Sequence, residues 1–295
     1  MKSPPTYAYY PGCTLKTTAI EFDVSTKAIC SALGIRLLEL KDWGCCGASS
    51  AHSTDHLLGL ALPAREIASA SRMGWPLMAV CAMCFSRLKH SEAALHDPQL
   101  RKKLSDIIGS PLPESYEVVH LIQVIDGMRD RIPATHPLKG LKVACYYGCV
   151  LVRPKDVTRM DDVENPQIMD RVLRAVGAST VDWSFKTECC GAGMALPHPD
   201  IMMRLSYRIL SQAKQAGADC IATACPLCFS NLDSYQKQMM KKGFGNNPEM
   251  PVFYFTELIG LAIGLSPERL LIKKHMTDAM SLLKARKLTG GLARA

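Results

Sequence analysis

Cysteine is the residue through which this chain could do chemistry. The chain has 13 cysteines among 295 residues, more than packing requires. In a reducing compartment stable disulfides are rare, which leaves metal ligation or thiol chemistry as the reason for so many thiols. Ten of them form two sets with the same order: a single cysteine, an adjacent pair followed by glycine, and a Cys-x-x-Cys turn. The first set is Cys13, Cys45, Cys46, Cys81 and Cys84, and the second is Cys149, Cys189, Cys190, Cys225 and Cys228.

The sequence around the two cysteine sets repeats as well. Gly47 and Gly191 follow the adjacent pairs, 33 residues then separate each glycine from its Cys-x-x-Cys turn, and each turn continues with Phe-Ser. Tyr-Tyr-Pro-Gly-Cys at 9–13 matches Tyr-Tyr-Gly-Cys at 146–149, with the second copy taken to lack one residue between Tyr147 and Gly148. This agreement predicts an internal duplication.

Five thiols in one set restrict the kind of metal centre. Four thiolates saturate a zinc ion or an ordinary cubane cluster, so a fifth favours a cluster with an extra or bridging thiolate. The adjacent pair suits that role because its two side chains can approach one metal assembly from two directions. The alternative for at least one half is a structural zinc site with an incidental fifth thiol. For Cys30, Cys145 and Cys220, which have no counterpart in the repeat, we expect buried packing roles.

Periodicity predicts the same order of elements in each half. A short strand, 7–10 or 142–146, comes before the first cysteine, and a helix then ends in a left-handed glycine, Gly34 or Gly177. A second strand, 35–40 or 179–183, leads to the adjacent cysteines. A helix follows, with Ile201, Leu205, Ile209 and Ala213 as its apolar face in the second half, and a third strand, 77–80 or 221–224, leads to the Cys-x-x-Cys turn.

The alternation of strands and helices indicates an α/β fold, in which each half has a mainly parallel sheet flanked by helices. The cysteine loops should gather beyond the carboxyl ends of the strands. Pro133 and Pro137 interrupt the periodicity at 131–140, so we predict two domains, 1–135 and 136–295.

Charge and hydropathy restrict the partners and the location that we expect for the protein. The formal net charge is +8, and the basic C-terminal segment 273–294 is expected to be a solvated tail or a docking patch for an acidic partner. Nucleic-acid binding is not favoured, because no aromatic residues interleave with these charges.

The apolar run 252–265 is too short to cross a bilayer and is expected to be a core helix, or part of a docking face. With no signal peptide in residues 1–10, we expect a cytoplasmic protein.

Both cysteine sets resemble the cysteine-rich, or CCG, domain of the B subunit of heterodisulfide reductase and of related redox proteins. The resemblance is carried by the ten cysteines, the two glycines after the adjacent pairs, and the flanking Tyr-Tyr and Phe-Ser residues, and it covers nearly the whole chain. It implies two noncubane [4Fe-4S] clusters, one on each set of five. The ligands implied are Cys13, Cys45, Cys46, Cys81 and Cys84 for one cluster, and Cys149, Cys189, Cys190, Cys225 and Cys228 for the other.

The resemblance implies an oxidoreductase subunit that cleaves or forms a small-molecule or protein disulfide. Our hypothesis is that two facing halves each supply one electron. The chain lacks the Cys-x2-Cys-x2-Cys-x3-Cys-Pro run of ferredoxins and a dinucleotide fingerprint, so the electrons must come from a partner. The family implies a ferredoxin-like C subunit and a flavin-containing A subunit as partners.

Other functions stay open. The chain could relay electrons in another respiratory or sulfur-metabolising complex, or be a zinc-stabilised assembly protein. His52, six residues after Cys46, is a candidate proton donor, although a surface or capping histidine is the commoner role.

Overall fold

Two parallel four-stranded sheets form the frame of the protein. The computed structural model describes residues 4–48, 50–244 and 249–289. The first sheet has the strand order β2-β1-β3-β4 and the second has the order β6-β5-β7-β8. The first four strands are β1 (Thr6–Tyr10), β2 (Arg36–Glu39), β3 (Leu77–Ala79) and β4 (Val118–His120). The other four are β5 (Lys142–Tyr146), β6 (Ser179–Thr180), β7 (Cys220–Thr223) and β8 (Val252–Tyr254).

Helices connect the strands in both halves, as parallel pairing requires. Those of the first half are α1 (Gly12–Leu15), α2 (Ile20–Ala32), α3 (Ala51–Thr54), α4 (His56–Met73), α5 (Ala82–Ala94), α6 (Pro98–Ile108) and α7 (Leu121–Asp126). Those of the second half are α8 (Lys155–Thr158), α9 (Ile168–Ala175), α10 (Pro199–Gln215), α11 (Pro226–Ser234), α12 (Gln236–Lys241), α13 (Phe255–Ala262) and α14 (Ala279–Ala285). The predicted α/β fold with two similar, duplicated CCG domains is confirmed.

The predicted helix ends are also correct, while one strand is shorter than expected. Gly34 and Gly177 have φ of +69° and +92°. The strand predicted at 179–183 ends at Thr180. The corresponding strand of the first half, β2, continues its hydrogen bonding with β1 further, because the Leu40 amide donates to Tyr9 O at 3.0 Å. In the second half the Trp183 indole donates to Cys145 O at 3.2 Å, so a side chain satisfies the carbonyl and the strand stops.

The apolar face predicted for α10 is correct at its C-terminal end and wrong at its N-terminal end. Ile201 is 47% exposed, whereas Met202, Ile209 and Ala213 are buried. A four-residue repeat drifts around a helix of 3.6 residues per turn, so it cannot follow one buried stripe. The true stripe mixes three- and four-residue steps.

Each sheet has a fourth strand that periodicity did not reveal. β4 and β8 have only three residues each, too few for an alternating pattern. β8 and α13 occupy most of the apolar run 252–265 and are buried throughout, so this run is core, as expected, but only partly helix. Among the described residues no helix is long and apolar enough to cross a membrane.

The two halves share one hydrophobic core. At their junction α2 packs on α13: the rings of Phe22 and Tyr254 stack at 4.1 Å, and the hydroxyls of Ser25 and Thr256 are hydrogen-bonded at 2.7 Å. The boundary predicted at 131–140 stays a prediction.

The basic C-terminal segment is folded as far as the structure describes it. Leu283 in α14 is fully buried, and Arg286 pairs with Asp219 at 2.7 Å, while Lys284 and Lys287 are exposed. Up to residue 289 this segment is therefore packed on the rest of the chain with exposed lysines, and its role as a solvated tail or a docking patch stays a prediction. Residues 290–294, including Arg294, lie outside the described residues.

Candidate metal centre

Each half brings its five predicted cysteines to loops beyond the carboxyl ends of its strands. In the first half Cys13 opens α1 after β1, the adjacent pair follows β2, and Cys81 is the residue before α5. The second half repeats this placement, with Cys225 immediately before α11. Parallel strands end at the same edge of a sheet, and for this reason residues far apart in sequence meet here.

The sulfur atoms of each set form close pairs with the same geometry. The Sγ atoms of Cys46 and Cys84 are 3.3 Å apart, and those of Cys190 and Cys228 are 3.4 Å apart. The Cys-x-x-Cys thiols also shift each other's pKa within their turns, as do Cys45 with Cys46 and Cys149 with Cys189. The structure therefore brings two sulfurs of each set into contact, whereas the thiol of Cys13 is placed 4.0 Å from the Thr14 hydroxyl, and the full sets of five stay a prediction.

Contact between thiols makes some of them acidic. Hydrogen bonds from Cys45 and Cys84 lower the pKa of Cys46 to about 3. A hydrogen bond from Cys149 lowers the pKa of Cys189 to about 6. The protonated partners have raised pKa values for the same reason. Each set thus has a thiolate at neutral pH, the form that binds metals.

The glycines after the adjacent pairs direct an amide at a thiol. Gly47 and Gly191 have φ of +73° and +79°, and their N–H groups donate to the Sγ atoms of Cys45 and Cys189 at 3.4 and 3.3 Å. A Cβ at Gly191 would lie 2.9 Å from the Cα of Met202. Glycine is needed both for the left-handed turn and for this close packing.

A second pair of glycines lies against the last cysteine of each set. Gly12 and Gly148 have positive φ, and a Cβ there would lie 2.9 Å from Cys84 Sγ and 3.2 Å from Cys228 Sγ. A larger residue would move the sulfur. The backbone of the first cysteine loop therefore forms one wall of each site.

Tyr10 and Tyr146 support the adjacent pairs and were missed by sequence reasoning. Their hydroxyls donate to the carbonyl before the pair, Gly44 O at 2.6 Å and Glu188 O at 2.7 Å. Burial and then the neighbouring thiols raise the pKa of Tyr146, so it stays a neutral donor. The repeated Tyr-Tyr sequence was the available signal.

The same tyrosines correct the alignment of the repeat. Tyr10 pairs with Ala79 in the first sheet and Tyr146 with Thr223 in the second, each two residues before the Cys-x-x-Cys turn. Tyr146 is thus the counterpart of Tyr10, and Tyr147 takes the place of proline. The second copy does not lack a residue, because matching the two Tyr-Tyr pairs in the sequence placed them out of register by one.

The two sets meet at their Cys-x-x-Cys turns. The Ala82 amide donates to Ala224 O at 3.2 Å, and the thiols of Cys81 and Cys225 shift each other's pKa, that of Cys81 upward and that of Cys225 downward. Both are buried, whereas Cys13, Cys45 and Cys189 are exposed. Each site therefore has an outer edge open to solvent and an inner edge in contact with the other site.

The side chains beside the two sites differ in charge. Asn231, three residues after Cys228, donates to Cys190 O at 3.2 Å. Arg87 has the same place after Cys84, and the negative charge of Cys46 counteracts the lowering of its pKa by burial. The first site therefore has a guanidinium where the second has an amide.

The donor sets fit a sulfur-rich cluster in their chemistry. Five thiols, at least one of them a stabilised thiolate, are soft ligands of the kind that iron–sulfur clusters use. Among residues 4–48, 50–244 and 249–289, no group of three or more His, Cys, Asp or Glu side chains has the arrangement that one metal ion needs. The sulfurs are arranged as pairs.

The structure also places the predicted residues that are not members of the two cysteine sets. Cys30, Cys145 and Cys220 are buried, as expected, and burial raises the pKa of Cys30 to about 12. His52 is exposed on α3, where its backbone packs against Gly59. The histidine that is near a cysteine turn is the fully buried His120, whose Nε2 is 2.9 Å from Val80 O. It was missed because the strand that it ends, β4, was missed.

Comparison with known proteins agrees with this duplication. The cysteine-rich domain family, CCG, matches residues 7–89 and 143–233. A solved structure of a hypothetical protein from Helicobacter pylori has the same fold, with a TM-score of 0.76 and 12% identity; it covers 95% of this chain, which spans about half (53%) of that protein.

Two curated relatives match over nearly their whole length. The 8-methylmenaquinol:fumarate reductase membrane anchor subunit of Wolinella succinogenes is 33% identical, over 94% of this chain and 98% of the relative. The B subunit of the ferredoxin/F(420)H(2)-dependent CoB-CoM heterodisulfide reductase of Methanosarcina acetivorans is 30% identical, over 96% of this chain and 98% of the relative. The chain, with its two copies of the domain, therefore belongs to the cysteine-rich (CCG) domain family that includes the B subunit of heterodisulfide reductase.

Proposed function

We propose that this chain is the iron–sulfur subunit of a heterodisulfide reductase-like complex and cleaves or forms a disulfide in one-electron steps. The observation that carries this proposal is the pair of matched five-cysteine sites whose Cys-x-x-Cys turns meet where the Ala82 amide donates to Ala224 O at 3.2 Å. A disulfide exchanges two electrons, and two linked one-electron sites can exchange them together. The relatives named as B subunits of heterodisulfide reductases support the same reaction class.

The cofactors in this proposal are two noncubane [4Fe-4S] clusters. Their ligands would be Cys13, Cys45, Cys46, Cys81 and Cys84 in one half and Cys149, Cys189, Cys190, Cys225 and Cys228 in the other. When bound, such clusters would accept and donate single electrons. The five-thiol donor sets support this choice over zinc, which four thiolates saturate.

Exposure suggests where the substrate reacts. The outer thiols Cys45 and Cys189 are open to solvent, while Cys81 and Cys225 are buried. We place the disulfide at the outer edge and electron exchange between the halves at the inner edge. Reduction there consumes two electrons and two protons and yields two thiols.

The electrons would come from partner chains. A ferredoxin-like C subunit, linked to a flavin-containing A subunit, is the source implied by the family. Lys284 and Lys287 are exposed and could meet an acidic surface of such a partner.

A second candidate is electron relay in another respiratory complex. It is favoured by one observation, the 33% identity to the membrane anchor subunit of a fumarate reductase. In that case the sites would pass electrons without a disulfide substrate.

Two separate substitutions, one of a predicted ligand and one of a nearby cysteine outside the set, test the proposal. Cys225 belongs to the second set, whereas Cys220, five residues earlier, is buried outside it. We expect C225A to lose about half of the bound iron and all disulfide turnover by the purified complex, and C220A to retain both. Turnover that survives in C225A after loss of one cluster would refute paired one-electron cleavage. A wild-type complex that contains its full iron but turns over no disulfide would favour the electron-relay function.

A further inference from the structure

A buried set of polar side chains lies where the two halves join. It consists of Glu21 on α2, Tyr254 at the end of β8, Glu257 on α13, and His275. Glu257 and Tyr254 are fully buried, and the side chain of His275 is 1% exposed. Charged residues are rarely buried in this way unless they are paired or functional. We refer to these four residues as the interface polar set.

Hydrogen bonds hold the set in a fixed arrangement. His275 Nε2 is 2.9 Å from Glu257 Oε1, and Glu257 Oε2 accepts the Tyr254 amide at 2.8 Å. The Asp233 carboxylate accepts hydrogen bonds from the amides of Met276 and Thr277, the two residues that follow His275, at 2.6 and 3.0 Å. It thereby anchors the loop that bears the imidazole.

The set also contains three buried polar atoms without a hydrogen-bond partner among the described residues. They are Glu21 Oε2, the Tyr254 hydroxyl and His275 Nδ1. Buried polar atoms are nearly always paired, so three unpaired atoms in one cluster require an explanation. All three can accept or release a proton.

The charges around His275 favour its protonated form. Burial lowers its pKa, but Glu257, Asp233 and Glu21 together raise the pKa above its ordinary value. These carboxylates come from α13, α11 and α2, the elements packed around the imidazole. Lys274 precedes it and acts on Glu21.

Aromatic rings connect this set to the place where the two cysteine sites meet. The Tyr254 ring lies between Phe22 at 4.1 Å and Phe229 at 4.3 Å. Phe229 follows Cys228 and also contacts the His275 ring at 4.9 Å. Burial raises the pKa of Tyr254, and negative charge on Glu21, on Glu257 and on the thiols of Cys225 and Cys81 raises it further. In a dry interior such interactions are weakly screened.

We propose that the interface polar set is a proton-binding site whose affinity follows the charge at Cys81 and Cys225. A proton binds at His275 Nδ1, the unpaired nitrogen of the imidazole, when negative charge is added at these thiols, and it leaves when that charge leaves. Lys274 and Met276, on either side of His275, are exposed, so the proton has a short path from solvent to the buried imidazole.

The inference rests on the proposed function for the source of the charge, one electron from a reduced iron–sulfur or flavin partner. Each electron that arrives is matched by one proton at the set. Cleavage of a disulfide takes two electrons and two protons, so the set would store one of those protons close to the buried thiols.

Redox titration of the iron-loaded chain over a range of pH tests the proposal. One proton bound per electron changes the equilibrium tenfold per pH unit, equivalent to 59 mV. We expect a slope approaching that value in the wild type and less than half of it in H275Q. H90Q is the matched control, because His90 is a half-buried histidine on α5, six residues after Cys84 and outside the set, and it should keep the slope.

Y254F provides a second variant that does not depend on the folding of H275Q. It removes only a hydroxyl that has no partner, and it should also reduce the slope. Equal slopes in the wild type, H275Q and Y254F would overturn the proposal.

A measurement on metal-free protein separates this inference from the proposed function. We expect E257Q to lower the proton affinity of His275 at least tenfold, as followed by NMR of the imidazole. An unchanged titration would overturn the proton site even if both clusters are present. Absence of iron and sulfide from the native chain would instead refute the proposed function and leave this titration interpretable.

Discussion

Replacement of Gly12 by alanine should destabilise the protein and disturb the first metal site. Gly12 has φ of +70°, and a Cβ there would lie 2.9 Å from Cys84 Sγ. The left-handed conformation alone costs a residue with a Cβ about 1–2 kcal/mol. Forcing an atom into the packed contact adds about 1–3 kcal/mol. We therefore expect G12A to lower the free energy of unfolding by about 2–5 kcal/mol.

Gly34 provides the matched control for this prediction. It has nearly the same φ, +69°, but a Cβ there would meet nothing within 4 Å. G34A should therefore lose only about 1–2 kcal/mol and keep its full metal content. Urea unfolding under anaerobic conditions and metal analysis measure the two effects. Equal losses of stability in G12A and G34A, with equal metal content, would refute the view that the Gly12 backbone forms a wall of the site.

Three further predictions concern charge. K186M should lower the free energy of unfolding by about 3–5 kcal/mol in urea titration, because it leaves the Asp170 partner, 3.2 Å away and 2% exposed, without its counterion. R87Q should lower the reduction potential of the first site relative to the second, by tens of mV in a spectroscopic titration, because it removes a positive charge near Cys46. Stability measured by urea should fall as pH decreases from about 6.5 to about 4, and less so in H120Q. Burial lowers the pKa of His120 to about 4, so the unfolded chain binds the extra proton in that range.

Each of these predictions has a control and a contrary result. K242M breaks the exposed pair with Asp200 and should change stability by less than about 1 kcal/mol; a similarly small loss in K186M would contradict the first prediction. For the second, N231A should leave the potential of the first site unchanged, and an unchanged potential in R87Q would contradict it. An identical pH profile in H120Q and the wild type would contradict the third.

The chemistry of the site could be predicted from the sequence because its ligands are grouped by spacing. Parallel strands deliver their ends to one edge, so two repeated cysteine sets imply two clustered sites before any contact is known. The glycines at positions 34 and 177 were equally informative, since each marks a helix end that only a left-handed residue can make.

The features that sequence reasoning missed depend on contacts between distant residues. β4 and β8 are too short to show a period and exist because a neighbouring strand pairs with them. Nothing in the sequence shows that Glu21 faces Glu257 and His275, because that contact arises when the two halves pack. The register of Tyr10 and Tyr146 likewise became clear only from the ladder of the sheets.

Quantification of iron, acid-labile sulfide and zinc in anaerobically purified protein tests the central claim most directly. Two clusters of the proposed type predict about eight irons and about eight sulfides per chain, with no zinc. Zinc bound without sulfide would contradict the account and leave the ten cysteines as ligands of a structural metal.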